Sequence, residues 1–251
     1  SKTRGFICGG EAPVGDSNNY ITRFEFASTG SAVDHADLTF TSKNGGSYSN
    51  ATRAIQHRGY GAPSITHRNV DAFEMASTAN AFDFGDIVSS AQYGGGGLAS
   101  PTRGIIHIAY DGSTTNTIEF CTISTSGSFT DFGDATTTLN NVRSGTGGSS
   151  TRGVSMGGGD SYTDVCSFLT IATTGNTTNF GDLSTGKSYS NAVSDRITCM
   201  MAGGQLAPGG TVTNQIDSLS IATGGTAVDS GDLTVTKREN SAASNAHGGL
   251  G

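Results

Sequence analysis

Residues 129–139 read FTDFGDATTTL, and the DFGD at 131–134 decides the fold by how often it recurs. A single DFG beside a catalytic loop would suggest the metal-binding aspartate of a kinase. Here DFGD also stands at 83–86, with NFGD at 179–182, DSGD at 229–232 and DHAD at 34–37. The closing aspartates Asp37, Asp86, Asp134, Asp182 and Asp232 are 49, 48, 48 and 50 residues apart. A kinase needs one copy, whereas five copies in register are a structural repeat.

Two further markers keep step. One is TRGFICGG from Thr3, TRAIQHRG from Thr52, TRGIIHIA from Thr102, TRGVSMGG from Thr151 and DRITCMMAGG from Asp195, which sets Arg4, Arg53, Arg103, Arg152 and Arg196 in line. The other is ASTG at 27, ASTA at 76, STSG at 124, ATTG at 172 and ATGG at 222. One step before it stand Phe26, Met75, Ile123, Ile171 and Ile221, and three steps before it Phe24, Phe73, Cys121, Leu169 and Leu219. That alternation marks a strand with one buried face. The Ser/Thr-Gly after it is a hairpin turn signal, and the DFGD strand follows, its Phe84, Phe132 and Phe180 directed at the buried face. The TRGxxxGG segment is another short strand. Before it runs a small-residue stretch such as VRSGTGGSS at 142–150, slim enough for a crowded axis.

Four short strands per unit of 40–50 residues, five times over, predict an all-β fold, a single-domain five-bladed β-propeller over residues 1–251. Blade 1 takes about 1–42 plus 237–249, blade 2 43–90, blade 3 91–139, blade 4 140–185 and blade 5 186–236. KRENSAASNAHGG at 237–249 reads as another small-residue first strand, so the C-terminal strand is expected to complete the first blade and remove an open edge. A solenoid would need capping units, and none is visible in the sequence.

Composition agrees. The 251 residues hold 38 Gly, no Trp, 4 Pro and 14% charged residues, which suits turns and strands. A net charge of −7 argues against a nucleic-acid surface, and no apolar run approaches the length of a membrane span, so membrane insertion is not expected. The first residues contain neither an initiator Met nor a secretory apolar stretch, which suggests processing or excision from a longer chain. Cys8, Cys121, Cys166 and Cys199 form no CxxC and share no zinc spacing with histidines. They read as free, buried thiols.

The recurring DxxD pairs admit a calcium site or turn chemistry, and the drift to Asn179 favours turns over a metal. The arginines are expected to pair with the closing aspartates rather than bind anions. His57 and His107 occupy equivalent strands, where a shared metal is conceivable and simple packing is the ordinary alternative. GGGG at 94–97 lacks the Lys of a phosphate loop, and no catalytic triad or paired acid and base stands outside the repeat. No catalytic residue, metal or cofactor is expected. Function is expected in the variable loops at 11–20, 61–69, 110–116, 159–164 and 205–214 and beside them, where Tyr20, Tyr60, Tyr110 and Tyr162 with Asp111 and Asp160 could stack sugars or contact proteins.

The order Arg143, small-residue strand, hydrophobic strand, Gly157-Gly158, turn, Phe180 resembles the kelch repeat along the whole chain, although Arg58-Gly59 and Ala109-Tyr110 replace Gly-Gly in two units. More narrowly, TRGxxxGG…IATTGN…DFGDL resembles kelch-like segments in virion proteins of marine tailed phages, cyanophages among them. That resemblance implies a non-enzymatic fibre, spike or surface-decoration module, located in the virion after assembly in the host cytoplasm. Its expected partners are other virion proteins or a host-surface glycan, in a homo-oligomer or larger assembly. A lectin-like glycan-binding module is the second reading. A kelch-type oxidase or lyase would need a metal or acid–base cluster that the sequence does not display.

Overall fold

The computed structural model describes residues 1, 3–11, 17–60, 67–91, 93–110, 113, 115–139, 145–159, 161–239 and 242. The described chain has no helix and forms six antiparallel sheets. Unit 1 contributes Arg4–Cys8, Asn18–Glu25 and Val33–Ser42. Unit 2 contributes Ser47–Ser49, Arg53–His57, His67–Glu74 and Phe82–Ala91, and unit 3 Tyr93–Ala99, Arg103–Tyr110, Thr115–Thr122 and Thr130–Leu139. Unit 4 has Gly145–Gly148, Arg152–Gly158, Thr163–Thr170 and Thr178–Asp182, and unit 5 Asn191–Ser194, Thr198–Ala202, Gln215–Ser220 and Val228–Asp232. In units 2 to 5 these are inner, second, third and outer strands of one four-stranded sheet, and in unit 1 the inner strand is not among the described residues. A small sixth sheet joins Lys187–Ser188, Gln205–Leu206 and Thr211–Val212.

Among the described residues no sheet has an apolar cluster of its own. The four apolar clusters each lie between successive units: Leu38 with Phe73, Ile87 with Ile123, Phe132 with Ile171, and Leu183 with Ile221. Alternation along each strand leaves one sheet two apolar faces, and at these four junctions the facing sides of two neighbouring units cover each other.

The DFGD motif builds these junctions. In every unit the register with the third strand slips at the motif, so two outer residues oppose one. This is a β-bulge, and the extra residue is the second of the four. The bulge turns Phe84 and Phe132 into the junction, where both are 2% exposed. Asp83, Asn179 and Asp229 each accept the N–H of the motif glycine two residues on, at 3.1, 3.0 and 3.0 Å. An amide oxygen serves as well as a carboxylate there, which accounts for the drift to Asn179.

The bulge exposes two carbonyls to the turn of the following unit. Phe84 and Asp86 accept from Gly127 and Phe129 N–H, both at 2.8 Å. Phe132 and Asp134 accept from Gly175 and Thr177 at 2.7 and 2.8 Å, and Phe180 and Asp182 from Gly225 and Ala227 at 2.8 and 2.7 Å. Between units 1 and 2 the Asp37 carbonyl accepts from Ala81 at 2.8 Å. The motif glycines, at φ 139–143° in units 2 to 4, are required twice over. A Cβ on Gly85 would lie 2.5 Å from the Gly127 carbonyl oxygen, one on Gly133 2.6 Å from that of Gly175, and one on Gly181 would overlap Gly225.

The arginines are corrected by the structure. They do not pair with the closing aspartates. Each reaches forward to a backbone carbonyl at the end of the next unit's third strand. Arg4 donates to Met75 (3.3 Å), Arg53 to Ile123 and Ser124 (3.0 and 3.1 Å), Arg103 to Ile171 (2.9 Å) and Arg152 to Ile221 and Ala222 (3.1 and 2.6 Å). Their carboxylate partners are Glu25 for Arg4 and Glu74 for Arg53, on the adjacent strand of the same unit. Arg103 and Arg152 lie over the Phe120 and Phe168 rings. A strand-end carbonyl has no ladder partner, and a guanidinium fork satisfies it while its stem covers apolar surface.

Arg196 is also corrected. The turn before each second strand carries a side-chain cap three residues ahead of the marker: Ser1, Asn50, Ser100, Ser149 and Asp195 accept the N–H of Arg4, Arg53, Arg103, Arg152 and Thr198. Thr198, not Arg196, therefore holds the fifth position, and unit 5 has no forward-reaching arginine there. The two bonds to Asp195, from Ile197 and Thr198, hold its carboxyl below the usual range.

Phe132→Ala is expected to destabilise by about 3–5 kcal/mol, since it empties a junction core, while Ser230→Ala at the same repeat position is nearly neutral. Arg103→Ala is expected to cost about 1–3 kcal/mol by orphaning the Ile171 carbonyl. Urea unfolding of the three variants measures both.

Candidate functional site

The loops that join second to third strands gather the sequence-expected aromatic residues, and the structure separates them. Tyr20 stands at 60% exposure on the third strand of unit 1. Tyr60 is half-buried: its ring lies under Lys43 (5.1 Å), the two backbones exchange bonds at 2.8 and 2.9 Å, and Lys43 reaches Glu11 at 3.3 Å. Tyr162, at φ 50°, packs its ring 6.4 Å from Tyr189 and donates its hydroxyl to Gln205 Oε1 at 3.4 Å. Tyr60 and Tyr162 thus tie loops of successive units together, and among the described side chains of the expected set Tyr20 is the one that faces solvent. The Tyr110 side chain, Asp111 and Asp160 lie outside the described residues.

The inner strands line a cavity of about 250 Å³. Ser47–Ser49, Gly97–Ala99, Thr146–Gly148 and Ala192–Ser194 border it, together with Arg4–Phe6, Cys8 and Ala242. Small residues line most of this wall, as the sequence pattern implied. Tyr48, Leu98 and Val193 are the larger residues of the inner strands there, and the Tyr48 hydroxyl is buried without a hydrogen-bond partner, its pKa pushed well above the ordinary value by burial.

Buried polar groups form a third set, which the repeat markers did not reveal. Asp71 accepts the Thr39 N–H (2.6 Å) and hydroxyl (2.8 Å), and Glu119 accepts Val88 and Ser89 N–H (2.7 and 2.8 Å). Asp217 accepts the Ser184 hydroxyl (2.8 Å) and pairs with Lys187 at 2.7 Å, with both side chains fully buried. All three acids sit on the third strand at the bulge and reach back to the preceding unit's outer strand or its continuation. Burial raises the Asp71 carboxyl, partly offset by the two Thr39 bonds. These carboxylates are spent on backbone and hydroxyl donors and a lysine, so the arrangement clamps units rather than transferring protons. A signal was present in the sequence: an Asp or Glu breaks the apolar alternation at this position in three of the five units.

His57 and His107 share a repeat position, as the sequence suggested. The His57 ring accepts the Gly46 N–H at 2.8 Å, and His107 Nδ1 lies 3.3 Å from the Ser155 hydroxyl. Burial lowers them to about 3 and about 4. Among the described residues no cluster of three or more His, Cys, Asp or Glu could hold a metal ion. Cys121, Cys166 and Cys199 are buried free thiols and Cys8 is partly covered, and burial pushes all four to about 12.

No family model matches the chain, and no curated protein matches it. A solved structure titled "Structure of YjhT" is similar in fold, with TM-score 0.65 at 12% identity over 86% of this chain and 78% of that one. At that identity the likeness concerns the fold alone.

Two predictions follow from the buried polar set. The folded histidines sit below their ordinary value of 6.5, so the folded state binds fewer protons than the unfolded chain. Their contribution is complete above pH 6.5 and is lost as pH falls towards 4 and then 3. The melting temperature is expected to drop over that interval, less steeply in His57→Gln. Asp217→Asn, which strands a buried ammonium, is expected to cost about 3–5 kcal/mol, and Lys187→Met with Asp217→Leu to regain most of it. Chemical denaturation reads both.

Proposed function

We propose that the protein is a non-enzymatic scaffold, a five-bladed kelch-like propeller that presents its variable loops to a partner in a phage virion fibre, spike or surface decoration. The observation that carries this reading is that the recurring motifs are consumed between units. DFGD carbonyls, forward-reaching arginines and bulge carboxylates all serve neighbouring sheets, so the chemistry left for a partner lies in the loops, which differ from unit to unit. The virion assignment rests on the sequence resemblance.

Closure at the axis by the segment beyond Lys237 belongs to the same proposal. Glu239 takes φ 58°, as Asn44 and Tyr189 take 57° six residues before the caps of units 2 and 5. Gly204 N–H donates to the Lys237 carbonyl at 2.7 Å, as Gly10 N–H does to Ser42 at 2.7 Å. The segment thus begins like the lead-in to an inner strand, and Ala242 borders the same cavity as Gly5 and Phe6. The rest of the expected strand, apart from Ala242, lies outside the described residues.

A lectin-like reading is favoured by one observation, the 60% exposure of Tyr20 beside a polar loop. Binding of the isolated protein to host cells and to their extracted polysaccharide tests the proposal. Saturable cell binding that Tyr20→Ala weakens about tenfold or more, with soluble polysaccharide competing, indicates a glycan. Saturable capture of purified particle proteins without polysaccharide competition indicates a virion contact. Turnover of a glycan substrate would overturn the non-enzymatic reading.

A further inference from the structure

The four internal junctions share one plan, and the junction of units 1 and 2 departs from it at its centre. In unit 3 the rings of Phe120 and Phe132 meet at 5.8 Å, and in unit 4 those of Phe168 and Phe180 at 4.8 Å. By strand register the same two places in unit 1 hold Arg23 and His35. His35 is 4% exposed, with its ring centroid 5.0 Å from that of Phe6 and 5.9 Å from that of Phe73. Among the described residues neither of its ring nitrogens has a hydrogen-bond partner, and neither has Arg23 Nε. A phenylalanine would fill the same gap without the cost of burying unpaired polar atoms.

The backbone ties are also thinner here. The other three junctions each bind two motif carbonyls to the following turn. At this one the Ala79 N–H turns to Ser77 Oγ at 3.1 Å, and the bond from Ala81 N–H to the Asp37 carbonyl is the one of the pair found among the described residues. Arg4 reaches the Met75 carbonyl at 3.3 Å, a longer bond than Arg53, Arg103 and Arg152 make at 3.0, 2.9 and 3.1 Å.

We propose that the junction of units 1 and 2 is an acid-sensitive latch, closed while His35 is neutral and opened by a proton on its ring. The charges around the ring set that direction. Arg4 on the second strand and Arg23 on the third lie near it, and Glu25 pairs with both, at 3.2 and 3.5 Å. Asp34, beside His35 on its own strand, favours the protonated ring, and it is exposed. From unit 2 the ring meets Phe73, and the Asp71 carboxylate of the same strand is taken by Thr39. Cys8, packed against the same cluster, is pushed to about 12 by burial and stays neutral. Burial first, then Arg23 and Arg4, lower the His35 pKa from 6.5. The open junction therefore binds the proton more readily than the closed one. Opening is unaffected above pH 6.5 and grows as pH falls below it, by about tenfold per pH unit until the closed state is itself protonated. It bares Phe6 and Phe73, whose rings meet at 5.4 Å in the closed junction. The latch is independent of what the loops bind.

Amide exchange of the full chain between about pH 5 and about pH 7.5 tests this, above the range in which His57 and His107 take up protons in the folded chain. Relative to the unstructured chain at each pH, protection of the Ala81 N–H is expected to fall by about tenfold per pH unit below 6.5. Phe129 and Thr177 N–H, which make the same bond at the next two junctions, are expected to keep theirs. His35→Phe installs the residue that units 2, 3 and 4 carry, and with an unchanged circular dichroism spectrum it is expected to abolish the fall at Ala81. The ring proton resonances of His35 in the wild-type chain are expected to titrate below 6.5. Ala81 protection that tracks Phe129 and Thr177, a fall that persists in His35→Phe, or a wild-type ring that titrates at 6.5 or above would each overturn the proposal.

Discussion

The structure depends on one local distortion, the β-bulge at the DFGD motif. Inserting one extra residue in the outer strand does two things at once. It swings a side chain out of the sheet's own plane into the gap before the next sheet, and it turns two carbonyls towards the next unit's turn. In units 2 to 4 glycine at the third position is needed because the adjoining turn passes where a Cβ would be. The motif that looks like a metal ligand is thus a backbone joint.

Because the apolar clusters lie between sheets, stability is shared between neighbours. A three- or four-stranded sheet of this length cannot bury enough surface alone, and each unit relies on its successor. Buried polar groups follow the same logic. Asp71 and Glu119 serve the N–H groups of the preceding unit, Asp217 serves a hydroxyl and Lys187, and the arginines serve carbonyls of the following one. Each such group would be costly alone in a low-dielectric gap, and each is answered by a backbone group or, for Asp217, by a hydroxyl and an ammonium. This makes spacing along the chain, rather than identity of the loops, the property that the fold requires.

The loops are released from that requirement. Glu11, Lys43 and Tyr60 bind one pair of loops together, and Tyr162, Tyr189 and Gln205 bind another, so part of the loop surface is held rigid by residues that sequence reading assigned to recognition. Aromatic residues between turns are ambiguous in this way: the same ring can stack on a ligand or on a neighbouring loop, and only the presence of Lys43 or Tyr189 beside it decides.

Periodicity was legible because it is a one-dimensional property. The 48–50-residue interval, the alternation and the glycine positions point to an all-β repeat and to the four-strand layout that units 2 to 5 adopt. The cap at Ser1, Asn50, Ser100, Ser149 and Asp195 was equally visible, and reading it would have placed Thr198 rather than Arg196 in register. What the sequence could not supply was the direction of contacts. Arg103 lies far along the chain from the Ile171 carbonyl, and a guanidinium gives no sign of whether it will meet a carboxylate or a peptide oxygen. Likewise Ile7 and Ile106 are the same residue at the same repeat position, one exposed and one buried. Only the tertiary arrangement separates them, because burial depends on whether another unit stands on that side.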